Sequence, residues 1–224
     1  MINFIKNIFH GIYQFTYPSF CHSCTDLIEQ NQLFCAGCSA LLPKISSITL
    51  PLSKKVTITV HALSPYDGAL RKLILQKNSG SWRNFTALAL LTAQQLNLEN
   101  LAPDCFIPVP LHWTRTFWRG YNQASILAKE YGSIWQAPVF EGIERSKKTA
   151  FQSHLDKESR SLNVKKAFQI KHSHTDLVQH YITNKHVVLV DDVMTTGATL
   201  IEIAQLIQRY QPSKITALVV CRVN

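Results

Sequence analysis

Residues 186 to 190 read His-Val-Val-Leu-Val and residues 215 to 223 read Ile-Thr-Ala-Leu-Val-Val-Cys-Arg-Val, two nearly unbroken apolar runs separated by a polar stretch. A strand with one face in water alternates apolar and polar residues, whereas a continuous β-branched run needs cover on both faces, the condition of a parallel sheet. Between the runs, from about Thr199 to Arg209, apolar residues return at helical spacing. The three pieces predict a βαβ unit, which excludes all-helical folds and antiparallel sandwiches and leaves an α/β domain with a largely parallel sheet flanked by helices.

The upstream pattern agrees. Residues 56 to 63 alternate as a strand, residues 66 to 80 read as a helix stopped near Gly80, and residues 83 to 97 carry a second helical pattern. Residues 105 to 111 predict a short strand running into a turn, and residues 121 to 131 another helix. Residues 41 to 55, rich in Ser and Pro and weak in periodicity, read as a linker. Near the N-terminus Ile5, Ile8, Phe9 and Ile12 recur at helical spacing, so a short amphipathic helix packing on the domain is expected. Lys6, Asn7 and His10 interrupt any signal-peptide core there, and no run reaches the length a membrane-spanning helix needs. A soluble chain of 224 residues accommodates one domain of ordinary size plus a small appendage, divided on this reading into residues 1–43 and 44–224.

Four of the six cysteines form the appendage's signature: Cys21-x-x-Cys24, ten residues, Cys35-x-x-Cys38. Each pair makes a tight knuckle aiming two thiolates at one point, and two knuckles complete the tetrahedral sulfur shell of a structural Zn²⁺, a zinc ribbon. The metal would supply most of the folding free energy of so short a module. Redox dithiols or disulfides are the alternative, disfavoured because nothing marks the chain as secreted. His22 is an alternative ligand, but it sits inside a knuckle that already has two cysteines. Cys105 and Cys221 lie in apolar strand contexts and read as small buried hydrophobes.

The formal net charge of +9 is unevenly spread. Residues 44 to 171 hold 18 basic against 8 acidic residues, while the flanking segments are close to neutral. An excess of this kind suits an anionic partner, a polyphosphate or nucleic acid, or else is a solvated surface.

Residues 187 to 199, Val-Val-Leu-Val-Asp-Asp-Val-Met-Thr-Thr-Gly-Ala-Thr, carry the chemistry. A buried strand delivers the chain to the carboxyl edge of the sheet, where open α/β folds bind ligands. The loop Thr195, Thr196, Gly197, Ala198, Thr199 then offers backbone N–H groups and hydroxyls to a phosphate, helped by the positive end of the following helix. Gly197 takes positive φ without a steric cost. Asp191 and Asp192 would repel a phosphate, so they are expected to face a sugar's hydroxyls. The plainer alternative is a strand-to-helix turn in which Asp192 or Thr195 only caps the helix.

This stretch resembles the PRPP-binding signature of type I phosphoribosyltransferases. With the four-cysteine ribbon before it and Arg119-Gly-Tyr-Asn-Gln-Ala124 between, the chain from about residue 15 to its end resembles the ComF family of competence-associated, phosphoribosyltransferase-like proteins. The resemblance implies a bacterial cytoplasmic protein connected with natural transformation and the use of incoming DNA. It also implies a pyrophosphate loop at Pro110, Leu111, His112 and Trp113, with Arg115 or Arg119 supplying charge. The basic cluster at residues 145 to 168 resembles a family stretch that closes over the reaction centre, making Arg145, Lys148, Thr149, Gln152, Arg160 and Asn163 candidates.

Two functions follow as expectations. In the first, a phosphoribosyltransferase binds PRPP with Mg²⁺, using Asp191, Asp192, Arg145 and Lys148 in catalysis. In the second, a non-catalytic module senses PRPP or a nucleotide and binds single-stranded DNA through Arg115, Trp118 and Arg119, where charges interleave with aromatics. Trp113, Phe117, Trp118 and Tyr121 also suit simple loop packing. With Asn224 directly after the last strand, a base-recognising hood is not expected there, and residues 44 to 97 could form one instead. Other competence proteins are candidate partners.

Overall fold

The computed structural model describes residues 19–29, 32–42, 44–53, 56–65, 68–75, 82–96, 101–111, 120–145 and 167–223. The amphipathic segment expected around Ile5 to Ile12 lies outside them. In chain order the elements begin with a small hairpin, β1 (Ser19–Phe20) and β2 (Leu27–Ile28), and a one-turn helix α1 (Ala36–Ala40). Strands β3 (Ser46–Pro51) and β4 (Thr57–Pro65) follow, then helices α2 (Gly68–Leu75) and α3 (Trp82–Gln95). After β5 (Cys105–Pro108) and α4 (Gln123–Trp135) come the short strands β6 (Ile143–Arg145) and β7 (Phe168–Ile170). The chain closes with α5 (Val178–Tyr181), β8 (His186–Met194), α6 (Ala198–Gln208) and β9 (Lys214–Arg222).

The main sheet has the order β3-β4-β9-β8-β5. Strands β4, β9, β8 and β5 run parallel, and β3 pairs antiparallel with β4 at one edge. The βαβ expectation corresponds to β8-α6-β9, and the unbroken run at 187 to 190 is explained by cover on both faces. Val187 and Leu189 belong to a core cluster with Leu200, Ile203 and Ile207 of α6, while Val188 and Val190 belong to a second cluster with Leu70, Leu88 and Leu127 of the other helices. All four residues of that run are fully buried. Each such side chain contributes roughly 1.5–3 kcal/mol of transfer free energy, so the central strand has no slack for a polar replacement.

Within the segment read as a linker, residues 46–51 form a strand instead. Ile48 and Leu50 pack against the first cluster while Ser47 and Thr49 face out, the alternation of a strand with one wet face. The pattern is hidden because two apolar positions carry it, and Pro51 is tolerated since an edge strand leaves some N–H groups unpaired. The segment proposed for a hood therefore contributes two strands to the sheet itself.

At the amino edge of the sheet, buried His186 lies between the Ala102 carbonyl (3.1 Å from Nδ1) and the Thr216 hydroxyl (3.0 Å from Nε2). A carbonyl only accepts, so Nδ1 carries the proton and Nε2 accepts from Thr216. Burial lowers this histidine's pKa, in keeping with a neutral ring that ties the entry of β5 to β8 and β9. Cys105 and Cys221 are fully buried, and burial pushes the Cys105 thiol up to about 12, as expected of hydrophobes rather than nucleophiles.

Candidate functional site

Strand β8 runs four residues beyond the apolar block, so Asp191 and Asp192 belong to the strand and the loop starts only at Thr195. The ladder to β9 pairs Asp191 with Val219 and Val193 with Cys221 and skips Asp192. Strict alternation would send two neighbouring carboxylates to opposite faces. Past the pair, Val193 packs with the second cluster and Met194 with the first, the reverse of their parity in the apolar block. The Asp192 carboxyl is an immediate neighbour of the Asp191 carboxyl. Asp191 Oδ1 accepts from the Asp192 N–H at 2.9 Å, and Asp192 Oδ1 accepts from the Val193 N–H at 2.9 Å. Burial, and then the neighbouring Asp192 carboxyl, holds Asp191 well above the usual carboxylate range.

Beyond the pair the loop turns sharply. Gly197 has φ +76°, the left-handed region, and serves as the residue before α6 with no side-chain cap. Thr195, Thr196 and Ala198 are exposed, Thr199 is half-buried, and Gly197, Met194 and Leu200 are buried beneath them. A Cβ added at Gly197 would come to 2.6 Å from Leu50 Cδ1. The arrangement presents hydroxyls and the first-turn amides of an eleven-residue helix at the carboxyl edge of a parallel sheet. That can take a phosphate, with a hydrogen-bonding carboxylate pair a few residues away. The capping-only alternative gains nothing from the structure, since Thr195 and Asp192 make no recorded cap to α6 and only Thr196 Oγ1 accepts, at 3.4 Å, from the Ala198 N–H.

Of the other candidates, Pro110 and Leu111 follow β5 at the same edge, with Val109 N–H donating to the Val190 carbonyl at 2.8 Å. His112, Trp113, Arg115, Phe117, Trp118 and Arg119 lie outside the described residues. Arg145 ends β6, exposed, with its guanidinium 5.5 Å from the centre of the Phe168 ring. Its strand pairs with β7, Arg145 opposite Phe168, so both ends of the basic segment are joined in one ladder. Lys148, Thr149, Gln152, Arg160 and Asn163 fall between them, outside the described residues.

The cysteine knuckles form as their spacing predicts. The first turn joins β1 to β2, with Cys21 N–H donating to Asp26 O at 2.7 Å and Thr25 at φ +65° closing it. The second opens α1, Cys35 Sγ accepting from the Cys38 N–H at 3.5 Å. The four sulfurs all lie within 4.8 Å of one another. Four thiolates about 2.3 Å from a tetrahedral zinc stand under 4 Å apart, so the donor set and spacing fit a structural metal such as zinc. His22 is exposed and outside the cluster.

Residues 142–224 match the family model described as phosphoribosyl transferase domain. The chain is 31% identical to the DNA utilization protein YhgH of Salmonella typhimurium over 220 residues, covering 91% of this chain and 84% of that one. It is 29% identical to Competence protein F of Haemophilus influenzae, covering 85% and 79%. The chain belongs to the ComF family. Among solved structures, a purine phosphoribosyltransferase from Pyrococcus horikoshii is similar at 21% identity and a TM-score of 0.36, over 63% of this chain and 81% of that one. No helix of this ComF-family chain, among the described residues, is long and apolar enough to cross a membrane.

Three residues near the site have roles that the sequence reading did not assign, one of them within the Arg119–Ala124 stretch. Asn122 caps α4, accepting from the Ala124 N–H at 3.1 Å, and donates Nδ2 to the Val109 carbonyl at 3.0 Å. An Asn directly before a helical pattern was the available signal. Glu202 of α6 accepts the Ala167 N–H at 2.6 Å, tying the exit of the basic segment to the helix behind the loop. Leu50 touches the loop from an element with no helical or motif signature.

Asp191 carries a stability cost with a defined pH signature. Because the folded-state pKa of Asp191 is raised, the native protein keeps its proton in a pH range where the unfolded chain has lost it. Stability is therefore fullest below the ordinary carboxylate pKa near 4 and falls as pH rises through the folded value, by about 1.4 kcal/mol for each unit of upward shift. Asp191→Asn is expected to melt at a higher temperature than the wild type at pH 7, with the gap closing towards pH 4. Calorimetric scans across that range check it; a variant less stable at pH 7 would contradict the cost.

Proposed function

We propose that this chain is a PRPP-binding, phosphoribosyltransferase-like protein of the bacterial cytoplasm that serves natural competence and the use of incoming DNA. The observation that carries this reading is the β8–loop–α6 junction, where a positive-φ glycine and an uncapped helix start stand beside a convergent carboxylate pair. The names of the relatives at about 30% identity support the competence setting.

In this reading the Thr195–Thr199 loop holds the 5-phosphate and the acid pair receives hydrogen bonds from the two ribose hydroxyls. Both carboxylates must be ionised to accept fully, and hydrogen bonds from the sugar hydroxyls would offset the burial that raises the Asp191 pKa. Mg²⁺, when bound with PRPP, would neutralise pyrophosphate charge, and Asp191 and Asp192 are the residues of this site that would hold it through its waters. Arg119 or Arg115, with His112 and Trp113, would meet the pyrophosphate, and Arg145 and Lys148 would stabilise the leaving group. If transfer occurs, the bond from ribose C1 to the pyrophosphate oxygen breaks and an acceptor atom bonds to C1 in its place. The alternative keeps the pocket but not the turnover, with single-stranded DNA along the basic middle; the charge excess of residues 44 to 171 favours it.

Calorimetry with Mg²⁺ should give PRPP binding that falls about ten- to a hundredfold when Asp191 and Asp192 are both changed to Ala, since hydrogen bonds to charged groups are lost. Inorganic phosphate affinity should stay nearly constant in that variant, and Gly197→Val should abolish both. Unchanged PRPP affinity in the double variant would remove the ribose assignment. Metal analysis of the purified protein is expected to return one zinc per chain bound by Cys21, Cys24, Cys35 and Cys38, lost on Cys24→Ser; metal-free protein with four titratable thiols would refute it. For single-stranded DNA, log affinity should fall by about 0.7 per neutralised phosphate for each log unit of salt, and weaken on changing Arg115, Trp118 or Arg119. Displacement of the DNA by PRPP would place both ligands in one site, and pyrophosphate release on mixing with candidate bases separates enzyme from sensor.

A further inference from the structure

The loop that receives phosphate in the reading above does not shape itself. Gly197 is buried between exposed Thr196 and Ala198, so the loop rests on the protein through its glycine. The nearest atoms beneath it belong to two side chains, and the closest is on Leu50. At the point where a Cβ would stand on Gly197, Leu50 Cδ1 is 2.6 Å away and Leu50 Cδ2 3.6 Å, with the Met194 sulfur at 3.5 Å. Of these two neighbours Met194 is a flexible thioether on the loop's own strand, able to follow any movement of the loop. Leu50 comes from outside and has fewer rotamers.

Leu50 is also held from three directions. It sits opposite Ile58 in the six-pair ladder of β3 with β4. Its side chain packs against the first core cluster. Two residues further on, the Leu52 carbonyl accepts from Gln205 Nε2 at 3.2 Å, and Gln205 belongs to α6, the helix that begins at this loop. The edge strand is thus fixed to the far end of the helix by a hydrogen bond and to its beginning by Leu50.

We propose that Leu50 is the positioning residue of the phosphate cradle: its side chain holds the Thr195–Thr199 backbone at the curvature that aims the loop amides and hydroxyls at a phosphomonoester. The inference rests on the phosphoribosyl reading of the site. It gives Gly197 two separate reasons to lack a side chain, the positive φ and the space Leu50 takes. It also gives the antiparallel edge strand a part in ligand binding beyond completing the sheet.

The test compares Leu50→Ala with Ile48→Ala, which removes a partly buried aliphatic from the same face of the same strand but supplies none of the three atoms nearest to a Cβ on Gly197. The probe is ribose 5-phosphate, which reports the phosphate cradle without the pyrophosphate side, measured by calorimetry beside thermal melting. Both variants should lose similar melting temperature, while ribose 5-phosphate affinity falls roughly tenfold or more only in Leu50→Ala, as expected for misaimed hydrogen bonds to a charged group. Leu50→Val, which shortens the side chain but keeps a strand-compatible residue, serves the same comparison if the alanine variant does not fold. A second arm introduces Gly197→Ala: its affinity penalty should be at least about fivefold smaller in the Leu50→Ala background than in the wild type, because the clash is gone and only the backbone strain remains. Equal affinity in the Leu50 and Ile48 variants, or an additive double variant, overturns the inference while leaving the site's assignment in place. Failure of the wild type to bind either ribose 5-phosphate or PRPP overturns both.

Discussion

The pairing of β8 with β9 in the middle of the sheet is the constraint on which the remaining structure depends. Covered on both faces, these strands must be apolar for as long as they are buried, and β8 can become polar only where it leaves its cover. The chemistry is concentrated at that exit. Two adjacent carboxyl groups stand in the half-buried end of the strand, Asp191 at a cost in stability, and the loop opens where amides and hydroxyls reach solvent. Function is thus gained at the one level of the sheet where packing is least satisfied, a common bargain between stability and activity.

How far this could be read from the chain differed by element. The β8-α6-β9 unit was legible because a two-sided burial requirement leaves a continuous mark, and the cysteine spacing was legible because tetrahedral sulfur chemistry permits few alternatives. Strand β3 was not. An edge strand with one buried face needs only Ile48 and Leu50, and the serines and Pro51 around them carry the statistics of a loop. The extent of β8 was missed for a related reason: acidic residues argue for a loop, yet a strand at the end of its cover accepts them. Leu50 beneath Gly197 had no local signal at all, since the two residues are distant in sequence and meet only through the sheet order.

The four-cysteine module is physically joined to the other part of the chain. Leu33 and Phe34, between the two knuckles, are buried in the same cluster as Leu70, Phe85 and Leu88. A metal that fixes the knuckles therefore also fixes two apolar side chains against α2 and α3. Loss of the metal would loosen a core shared with the second face of the main sheet, so the knuckles carry weight beyond their own short hairpin.

Asn122 has a broader implication through its two hydrogen bonds. One joins it to the carbonyl of Val109 and the other starts α4, so the chain that leaves the sheet after β5 returns to within one side chain of its departure point. One side chain therefore holds the exit of β5 and the start of α4 together, so replacing Asn122 would release both elements at once.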